Sequence, residues 1–263
     1  MQQDLVSVIM PSFNTGTIIR DSIISVLAQT YHNLELLITD DNSTDPETIG
    51  ILKEYAEKDA RVKVFFLNAN GGAGKARNNS IKHANGRYIA FCDSDDMWMS
   101  DKLEKQIAFM KEHKCCLSFS SYNICLHDGR LTNKVVKAPA ILTLREEKHD
   151  NKIGCLTAVY DTAHYGKFYM PELRKRQDWA LFLTIMKTCG VAYGIAEPLA
   201  IYRKVPGSIS SNKMKLVKYN AEVYKTVFGY STVKAYIYLI FVFLPSYFTK
   251  RMRTRKQNNN ENS

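Results

Sequence analysis

Strand-like and helix-like segments alternate through the first third of this 263-residue chain. Short runs rich in β-branched and aromatic residues predict strands at 5–10, 34–39, 62–67 and 87–92. Apolar residues at helical spacing predict helices between them at 17–29, 46–58 and 72–84. The second helix has Asp45 ahead of Pro46, which is a typical start signal. The alternation predicts an α/β fold with a mostly parallel, twisted sheet flanked by helices.

Acidic residues follow directly after the fourth predicted strand. Asp93, Asp95 and Asp96 lie within four positions, and polar turns follow the first and second strands at 11–14 and 40–45. Parallel sheets bind ligands at the carboxyl ends of their strands, so these turns should share one crevice. Crowded carboxylates need a positive charge, and oxygen ligands suit Mg²⁺ or Mn²⁺ together with substrate phosphates. The pattern therefore predicts a metal-bound diphosphate, although a helix cap would also explain one of the acids.

Positive charge is concentrated at the C-terminus. Residues 213–263 carry ten Lys or Arg and two Glu, which gives +8 of the net charge of +10. The same segment holds an apolar stretch at 235–248, which Pro245 interrupts. As a helix it would reach only about 21 Å, short of the roughly 30 Å hydrocarbon core. We predict a helical tail that lies in the membrane interface with its basic residues on anionic lipid, and packing on the body is the alternative.

Cysteine spacing and the N-terminus indicate the compartment. The chain has six cysteines without CxxC spacing, at positions 92, 115, 116, 125, 155 and 189. Most lie in apolar runs, so we expect them to be reduced. The first residues lack the basic flank and long apolar core of a signal peptide. We therefore expect a cytoplasmic protein that is peripheral at the inner face of the cytoplasmic membrane.

Several motifs carry a family resemblance when they are read in order. The segments "VSVIMPSFN", "LLITDDNSTD", "NGGAGKARNNSI", "GRYIAFCDSDD" and "RKRQDWALFL" together resemble the inverting family-2 glycosyltransferases with the GT-A fold. The segments "NKIGCLTAVYD" and "AIYRKVPGSISSNK" resemble the bacterial subgroup that builds O-antigen, capsule and teichuronic-type polysaccharides. The resemblance implies a GT-A catalytic domain at 1–212, with a nucleotide- and metal-binding half at 1–112 and an acceptor-binding half at 113–212. Residues 213–263 form the separate tail.

The resemblance implies a nucleotide site in the first half. Pro11 and Phe13 match the positions that flank the base, and an aromatic ring at Phe13 can stack on uracil. Asp41 matches the acid that accepts a hydrogen bond from the base, since a ring N–H is a donor. Arg77 matches the basic residue near the base, and Asp93 matches the contact on the ribose side. The glycines of "NGGAG" at 70–74 lack any phosphate-loop spacing, and we interpret them as a flexible turn into a helix.

The catalytic groups follow from the same resemblance. Asp95, in the DxD motif, matches the direct ligand of Mn²⁺ or Mg²⁺. Asp178 matches the base that removes the proton of the acceptor hydroxyl. Asp96 would support the loop or reach the acceptor, and Trp179 would stack on a sugar or pack in the core. Arg203 would touch the diphosphate.

One departure from the family pattern lies near the end of the catalytic domain. Many relatives carry a histidine in the segment matching "YRKVPGSIS", where this chain has Val205. Metal binding would then rest on Asp95, donor phosphates and water. The loop around Ser208 and Ser210 would close over the donor.

The expected reaction is inverting transfer of a sugar from a nucleotide donor, with UDP favoured, to a lipid-linked oligosaccharide in cell-surface polysaccharide synthesis. A nucleotidyltransferase is one alternative, but it would need a glycine-rich basic loop after the first strand, where only Gly16 and Arg20 occur. A non-enzymatic module that binds membrane or nucleic acid is the other. It explains the basic tail and leaves the acids without a role, so nucleic acid is not an expected partner.

Overall fold

The computed structural model describes residues 4–205 and 213–243, and within these ranges it contains ten strands and eight α-helices. The strands are β1 Val6–Ser12, β2 Leu34–Asp40, β3 Val62–Phe66, β4 Tyr88–Phe91, β5 Met97–Trp98, β6 Leu117–Cys125, β7 Leu131–Val136, β8 Ile141–Thr143, β9 Val159–Asp161 and β10 Val191–Arg203. The helices are α1 Ile18–Leu27, α2 Pro46–Lys58, α3 Ala73–His83, α4 Lys102–His113, α5 Leu144–His149, α6 Gln177–Cys189, α7 Lys213–Phe228 and α8 Thr232–Tyr238. A 3₁₀ turn lies at Cys155–Thr157, and a π-helical turn at Leu239–Phe243 continues α8.

The sheet has the strand order β3-β2-β1-β4-β9-β6-β10-β5, with β7 beside β6 and β8 beside β10. The pairs β1–β2, β1–β4 and β2–β3 are parallel, so the predicted parallel arrangement is confirmed for the first four strands. The short strand β9 is antiparallel to both β4 and β6 and joins this half to the rest of the sheet. The pair β6–β10 is again parallel. The complete sheet is mixed, because it contains both parallel and antiparallel pairs.

Apolar layers cover both faces of the sheet. Val8 and Met10 of β1 belong to one buried cluster, and Ile9 between them belongs to the cluster on the opposite face. Successive strand side chains point to opposite faces, which is why a fully buried strand reads as a continuous apolar run. At the start of α2, Asp45 accepts hydrogen bonds from the backbone N–H groups of Glu47 and Thr48, as the sequence predicts.

The described part of the C-terminal tail packs on the body. The side chains of α7, α8 and the π-helical turn form a third apolar cluster with α6, whose buried members are Trp179, Ala180, Leu183, Ala221, Val223, Tyr224, Val227, Ala235, Leu239 and Phe243. Packing on the body, the alternative to a position in the membrane interface, therefore applies to this part of the tail. The loop at Ser208 and Ser210, the domain boundary at 212 and the basic run of the tail lie outside the described residues.

Among the described helices, none is both long and apolar enough to cross a bilayer alone. Segments 218–228 and 232–243 meet that criterion only as a pair, and a bend of 119° separates them.

One pair of cysteines is bonded, which corrects the prediction that all six are reduced. Cys116 precedes β6 and Cys189 ends α6, and their sulfur atoms form a disulfide across 73 residues of chain. The other four cysteines are free and buried. Sequence spacing could not reveal the pair, because only the packing of α6 on the sheet brings the two residues together.

Candidate active site

The carboxyl ends of β1, β2 and β4 lie side by side, because β1 pairs with both neighbours in parallel. The turns that follow them are tied together by hydrogen bonds. The Thr15 and Ser94 hydroxyl oxygens lie 3.0 Å apart, and the Asn14 backbone N–H donates to Ser43 Oγ at 2.8 Å. The crevice that the sequence predicts at this edge is therefore formed by three connected loops.

The loop after β1 exposes an aromatic ring, and the loop after β2 is held by a buried carboxylate. Pro11 is buried within β1, whereas Phe13 follows the strand with 49% of its surface exposed. Asp40 holds the second loop, because its two carboxylate oxygens accept from the Ser43 N–H at 2.7 Å and the Ser43 hydroxyl at 2.6 Å. Phe13 is thus exposed in a loop that is hydrogen-bonded to this second turn.

Asp41 is buried beside the glycine turn that precedes α3. Its carboxylate accepts from the backbone N–H of Gly71 at 2.8 Å and of Gly72 at 2.7 Å. Asn70 Nδ2 also donates to the Asp41 carbonyl oxygen at 3.1 Å. The sequence predicted only a flexible turn here and missed this anchoring role. The available signal was two glycines at a helix start, where free backbone N–H groups attract a carboxylate.

Arg77 lies at the centre of the site, buried on α3. Its Nη2 donates to the Asp93 carboxylate, and its Nε has no hydrogen-bond partner among the described residues. Burial by itself would lower the pKa of Arg77, but the negative charge of Asp93, which also accepts its hydrogen bond, and that of Asp178 raise it above its usual range. Arg77 therefore carries a fixed positive charge between the acidic loop and α6.

The acidic loop holds more negative charge than its surroundings balance. Burial, followed by the charge of Asp93, raises the pKa of Asp95 to about 6. Burial and the neighbouring Asp95 and Asp93 raise the pKa of Asp96 well above its usual range. Carboxylates in this condition favour a bound cation. Among the described residues no group of three or more His, Cys, Asp or Glu side chains could enclose a metal, so a cation here would take other ligands from phosphate and water.

Arg203, at the end of β10, is hydrogen-bonded to the acidic loop. Its Nε donates to the Asp95 carbonyl oxygen at 3.2 Å, its Nη1 to the His127 carbonyl oxygen at 3.0 Å, and its Nη2 to Asp21 Oδ2 at 2.6 Å. Its backbone N–H donates to Asp96 Oδ1 at 3.0 Å. The sequence predicts Arg203 at the diphosphate; the structure buries this side chain and bonds its guanidinium to protein groups. These contacts also give Asp96 the loop-supporting place that the sequence analysis offered as one alternative.

Asp178 and Trp179 are neighbours on α6 and lie in different surroundings. Asp178 is half-buried in the first turn, and its charge acts on Arg77 and on Cys155. Trp179 is completely buried, and its Nε1 donates to the Glu147 carbonyl oxygen at 2.9 Å. The predicted alternative of a sugar contact is therefore wrong for Trp179, and its core position holds. Successive helical residues point about 100° apart, so one can face the crevice while the next faces the core.

A cavity of about 600 Å³ opens beside the crevice. It lies between the α3 start and the segment before α6, and its polar lining includes Asn70, Lys75, Asn78, Arg174 and Gln177. Asn78 exchanges two hydrogen bonds with the Met170 backbone across the base of the cavity. The cavity therefore has both polar and apolar walls and lies beside the start of α6, next to Asp178 in the sequence.

Comparison with solved structures identifies the class of fold. The chain superimposes on a crystal structure of S. aureus TarS 1-349 in complex with UDP-GlcNAc with a TM-score of 0.69 and 23% identity, over 94% of this chain and 73% of that chain. It also superimposes on a Pyrobaculum calidifontis mannosyltransferase, determined with GDP-Man and Mn²⁺, with a TM-score of 0.63 and 16% identity, over 92% and 72% of the two chains. The fold is thus the GT-A-like fold of glycosyltransferases, as predicted.

Comparison of sequences identifies the family. Residues 7–168 match the family described as Glycosyl transferase family 2, and the chain belongs to this family. TuaG of Bacillus subtilis, named for teichuronic acid biosynthesis, is 45% identical over 85% of this chain and 88% of its own length. WfgD of Escherichia coli, named UDP-Glc:alpha-D-GlcNAc-diphosphoundecaprenol beta-1,3-glucosyltransferase, is 40% identical over 83% and 84%.

Proposed function

We propose that this protein transfers a sugar from a UDP-sugar to a glycan carried on a lipid diphosphate, with inversion at the anomeric carbon, in cell-surface polysaccharide synthesis. The observation that carries the proposal is the position of Arg77, which is buried beside Asp93 and within electrostatic reach of Asp178. One fixed cation thus connects the loop expected to hold the donor with the helix expected to hold the base.

The donor site comprises the residues predicted from the sequence. The half-exposed ring of Phe13 can stack on the base, next to Pro11 in β1. Asp41 retains acceptor capacity for a ring N–H, because each carboxylate oxygen can accept more than one hydrogen bond. Arg77 and Asp93 complete the site on the ribose side. A uridine nucleotide is supported by the donor in the name of WfgD and by the UDP-GlcNAc in the TarS crystal structure.

The buried acids fit a divalent cation. We propose that Asp95 ligates Mn²⁺ or Mg²⁺, with Asp93 contributing through water. When bound, the cation would neutralise the diphosphate and the charge that develops as the nucleotide departs. The Mn²⁺ in the structure of the archaeal mannosyltransferase supports this proposal. Arg203 keeps the Asp95 backbone in place without touching the substrate.

Asp178 provides the base in this mechanism. Its carboxylate takes the proton of the acceptor hydroxyl while that oxygen bonds to the anomeric carbon, and the bond from this carbon to the nucleoside diphosphate breaks. A single displacement of an α-linked donor leaves a β linkage, which is the linkage in the name of WfgD. We place the acceptor in the cavity before α6, where Lys75 and Arg174 can attract a diphosphate.

The acceptor determines where the enzyme works. WfgD is named for an acceptor on diphosphoundecaprenol, a lipid that resides in a membrane. We infer that this protein likewise acts as a peripheral protein at the inner face of the cytoplasmic membrane. There, cytoplasmic nucleotide sugar meets lipid-linked acceptor.

Calorimetric titration with UDP and with GDP, each with and without Mn²⁺, tests the donor site. We expect UDP to bind more tightly than GDP and to depend on Mn²⁺, because Asp95 would hold the cation that neutralises the diphosphate. Asp95→Asn should abolish the Mn²⁺ dependence, whereas Glu57→Gln on the exposed side of α2 should preserve it. Folded wild-type protein that binds neither nucleotide would overturn the proposal.

A further inference from the structure

The last described helical segment has an apolar face that no protein residue of the described chain covers. One side of the segment packs into the third apolar cluster through Ala235, Leu239 and Phe243. On the other side, the large exposed apolar side chains are Val233, Tyr236, Ile237, Ile240 and Phe241. Ile237 is 52% exposed and Phe241 is 73% exposed. Apolar side chains exposed together on one element indicate an interaction surface.

A basic pocket borders this face. It has a volume of about 480 Å³ and is lined by Arg145, Lys148 and His149 of α5 together with Phe228, Tyr238 and Val242. The positive groups of α5 thus meet aromatic and aliphatic side chains of the tail. A pocket with a cationic wall and an apolar wall fits a ligand with an anionic head and an apolar body.

Aromatic rings hold one of these cations in place. Lys148 Nζ lies 4.3 Å from the ring centroids of Phe228 and Tyr238, and it donates to the Tyr230 hydroxyl at 2.6 Å. A second ammonium group, Lys234 Nζ, lies 4.3 Å from the Tyr230 ring centroid. Cation–π contacts fix these ammonium groups without neutralising them.

The pocket keeps a positive potential. Within residues 4–205 and 213–243, none of the ion pairs includes Arg145, Lys148 or His149. The nearby carboxylate of Glu146 is engaged in the capping box with Thr143 at the start of α5. Burial, followed by the charges of Arg145 and Lys148, lowers the pKa of His149. This favours the neutral form of His149, so the positive charge of the pocket comes from Arg145 and Lys148, which form no ion pair with the described residues.

We propose that this pocket and the neighbouring apolar face form a docking site for an anionic phospholipid membrane, with a lipid phosphate at Arg145 and Lys148 and with Ile237 and Phe241 in the interface. Tyrosines and basic residues around apolar side chains are characteristic of membrane interfaces. The sequence after the described residues adds Lys and Arg at 250, 251, 253, 255 and 256, which matches an anionic surface. The proposal rests on the peripheral location given above and names the surface responsible.

The docking site is connected to the catalytic helix. The ring of Trp179 on α6 lies 5.9 Å from that of Phe243 and 5.7 Å from that of Tyr224. Asp178 is the preceding residue on α6. A membrane bound at this surface would therefore set the orientation of the helix that carries the proposed base, relative to an acceptor anchored in the same bilayer.

Vesicle sedimentation with the full chain tests the proposal. The probes are vesicles of phosphatidylcholine alone and vesicles of phosphatidylcholine mixed with phosphatidylglycerol. We expect binding to the mixed vesicles, about fivefold weaker in Arg145→Ala because one interfacial charge is lost, and about tenfold or more weaker in Phe241→Asp because an apolar anchor is lost. Both residues are exposed, so both variants should fold. Lys53→Ala on α2 and Ile24→Asp on α1 are matched exposed controls and should bind like wild type.

Each contrary result overturns the proposal. If wild type does not bind the mixed vesicles, the protein does not dock on an anionic membrane. If Arg145→Ala and Phe241→Asp bind as strongly as wild type, this surface is excluded and another part of the chain must bind. Release of wild type from mixed vesicles by excess soluble glycerol phosphate, with Phe241→Asp binding unchanged, would identify a site for free phosphate instead. UDP binding by the same variants, measured without vesicles, separates this result from a failure of the proposed glycosyltransferase function.

Discussion

The crevice at the strand ends and the surface formed by α5, α7 and α8 carry charges of opposite sign. In the crevice, three acids of one loop are crowded together, and burial disfavours the ionised form of Asp95 and Asp96. On the helical surface, Lys148 lies on aromatic rings and takes part in no ion pair with the described residues. We propose a cation as the ligand of the first region and an anionic lipid as the ligand of the second. The sign of the unbalanced charge is the difference between the two surfaces.

The two regions meet on α6, where adjacent residues belong to different regions. Asp178 faces the charges of the crevice, and Trp179 belongs to the core that the tail completes. Substitutions at these neighbours should therefore affect different properties. Activity should respond to the first residue, and stability should respond to the second.

The largest expected effect is on catalysis at Asp178. Asp178→Asn removes the proposed base without changing the size of the side chain. We expect kcat to fall by about 10²–10⁴-fold, the range typical of a lost general base. The dissociation constant of UDP should stay unchanged, since the donor residues are intact. A transfer assay and calorimetry on the same preparation measure both quantities, and Glu57→Gln is the control. A variant that keeps full activity would remove Asp178 from the mechanism.

The next largest effect is on folding at Trp179. Trp179→Ala empties a fully buried site between α6 and the tail and leaves the Glu147 carbonyl oxygen without its donor. We expect the free energy of unfolding to fall by about 3–5 kcal/mol. Urea denaturation followed by circular dichroism measures it. A loss below about 1 kcal/mol would show that the tail does not form this core in solution.

A smaller effect on stability is expected at Asp95, where substitution should stabilise the protein and not destabilise it as at Trp179. Its folded pKa of about 6 lies above the ordinary value of 3.8, so the folded protein binds a proton more readily than the unfolded chain. Stability of the metal-free protein should therefore decrease as pH rises from about 4 to about 6, by up to roughly 3 kcal/mol.

Asp95→Asn should remove this cost. We expect the variant to be more stable than wild type by about 2–3 kcal/mol at neutral pH and to lose that advantage as the pH is lowered towards the ordinary pKa. Denaturation at both pH values, without metal, provides the measurement. Asp128→Asn in the exposed hairpin should show no such gain. An equal gain at both pH values would indicate a cause other than buried charge.

The smallest expected effect is at Phe13. Phe13→Ala should weaken UDP binding by about 1–3 kcal/mol, the usual contribution of an aromatic ring stacked on a base. Stability should change by less than about 0.5 kcal/mol, because the ring is half-exposed. Calorimetry measures the UDP affinity of the variant, and denaturation measures its stability. A large loss of stability with unchanged UDP affinity would assign Phe13 to the core instead.

The sequence predicted much of the first half of the molecule because the signals there are local. Apolar runs and helical spacing located β1–β4 and α1–α3 to within a few residues. The position of Asp93 and Asp95 directly after a strand was sufficient to place them at the sheet edge. The order of the motifs was sufficient to suggest the family. Each of these inferences depends on neighbouring residues, whose conformations the chain itself restricts.

Tertiary structure alone decided the remaining features. The bond from Arg203 to Asp95 spans 108 residues, and the disulfide of Cys116 and Cys189 spans 73. Trp179 could have faced a sugar or the core until the packing of α7 and α8 determined its position. Contacts between distant segments depend on how helices and sheet pack together, and no local pattern encodes that packing. The sequence by itself therefore specified the strands, the helices and the acids at the sheet edge, whereas packing assigned each side chain its partner.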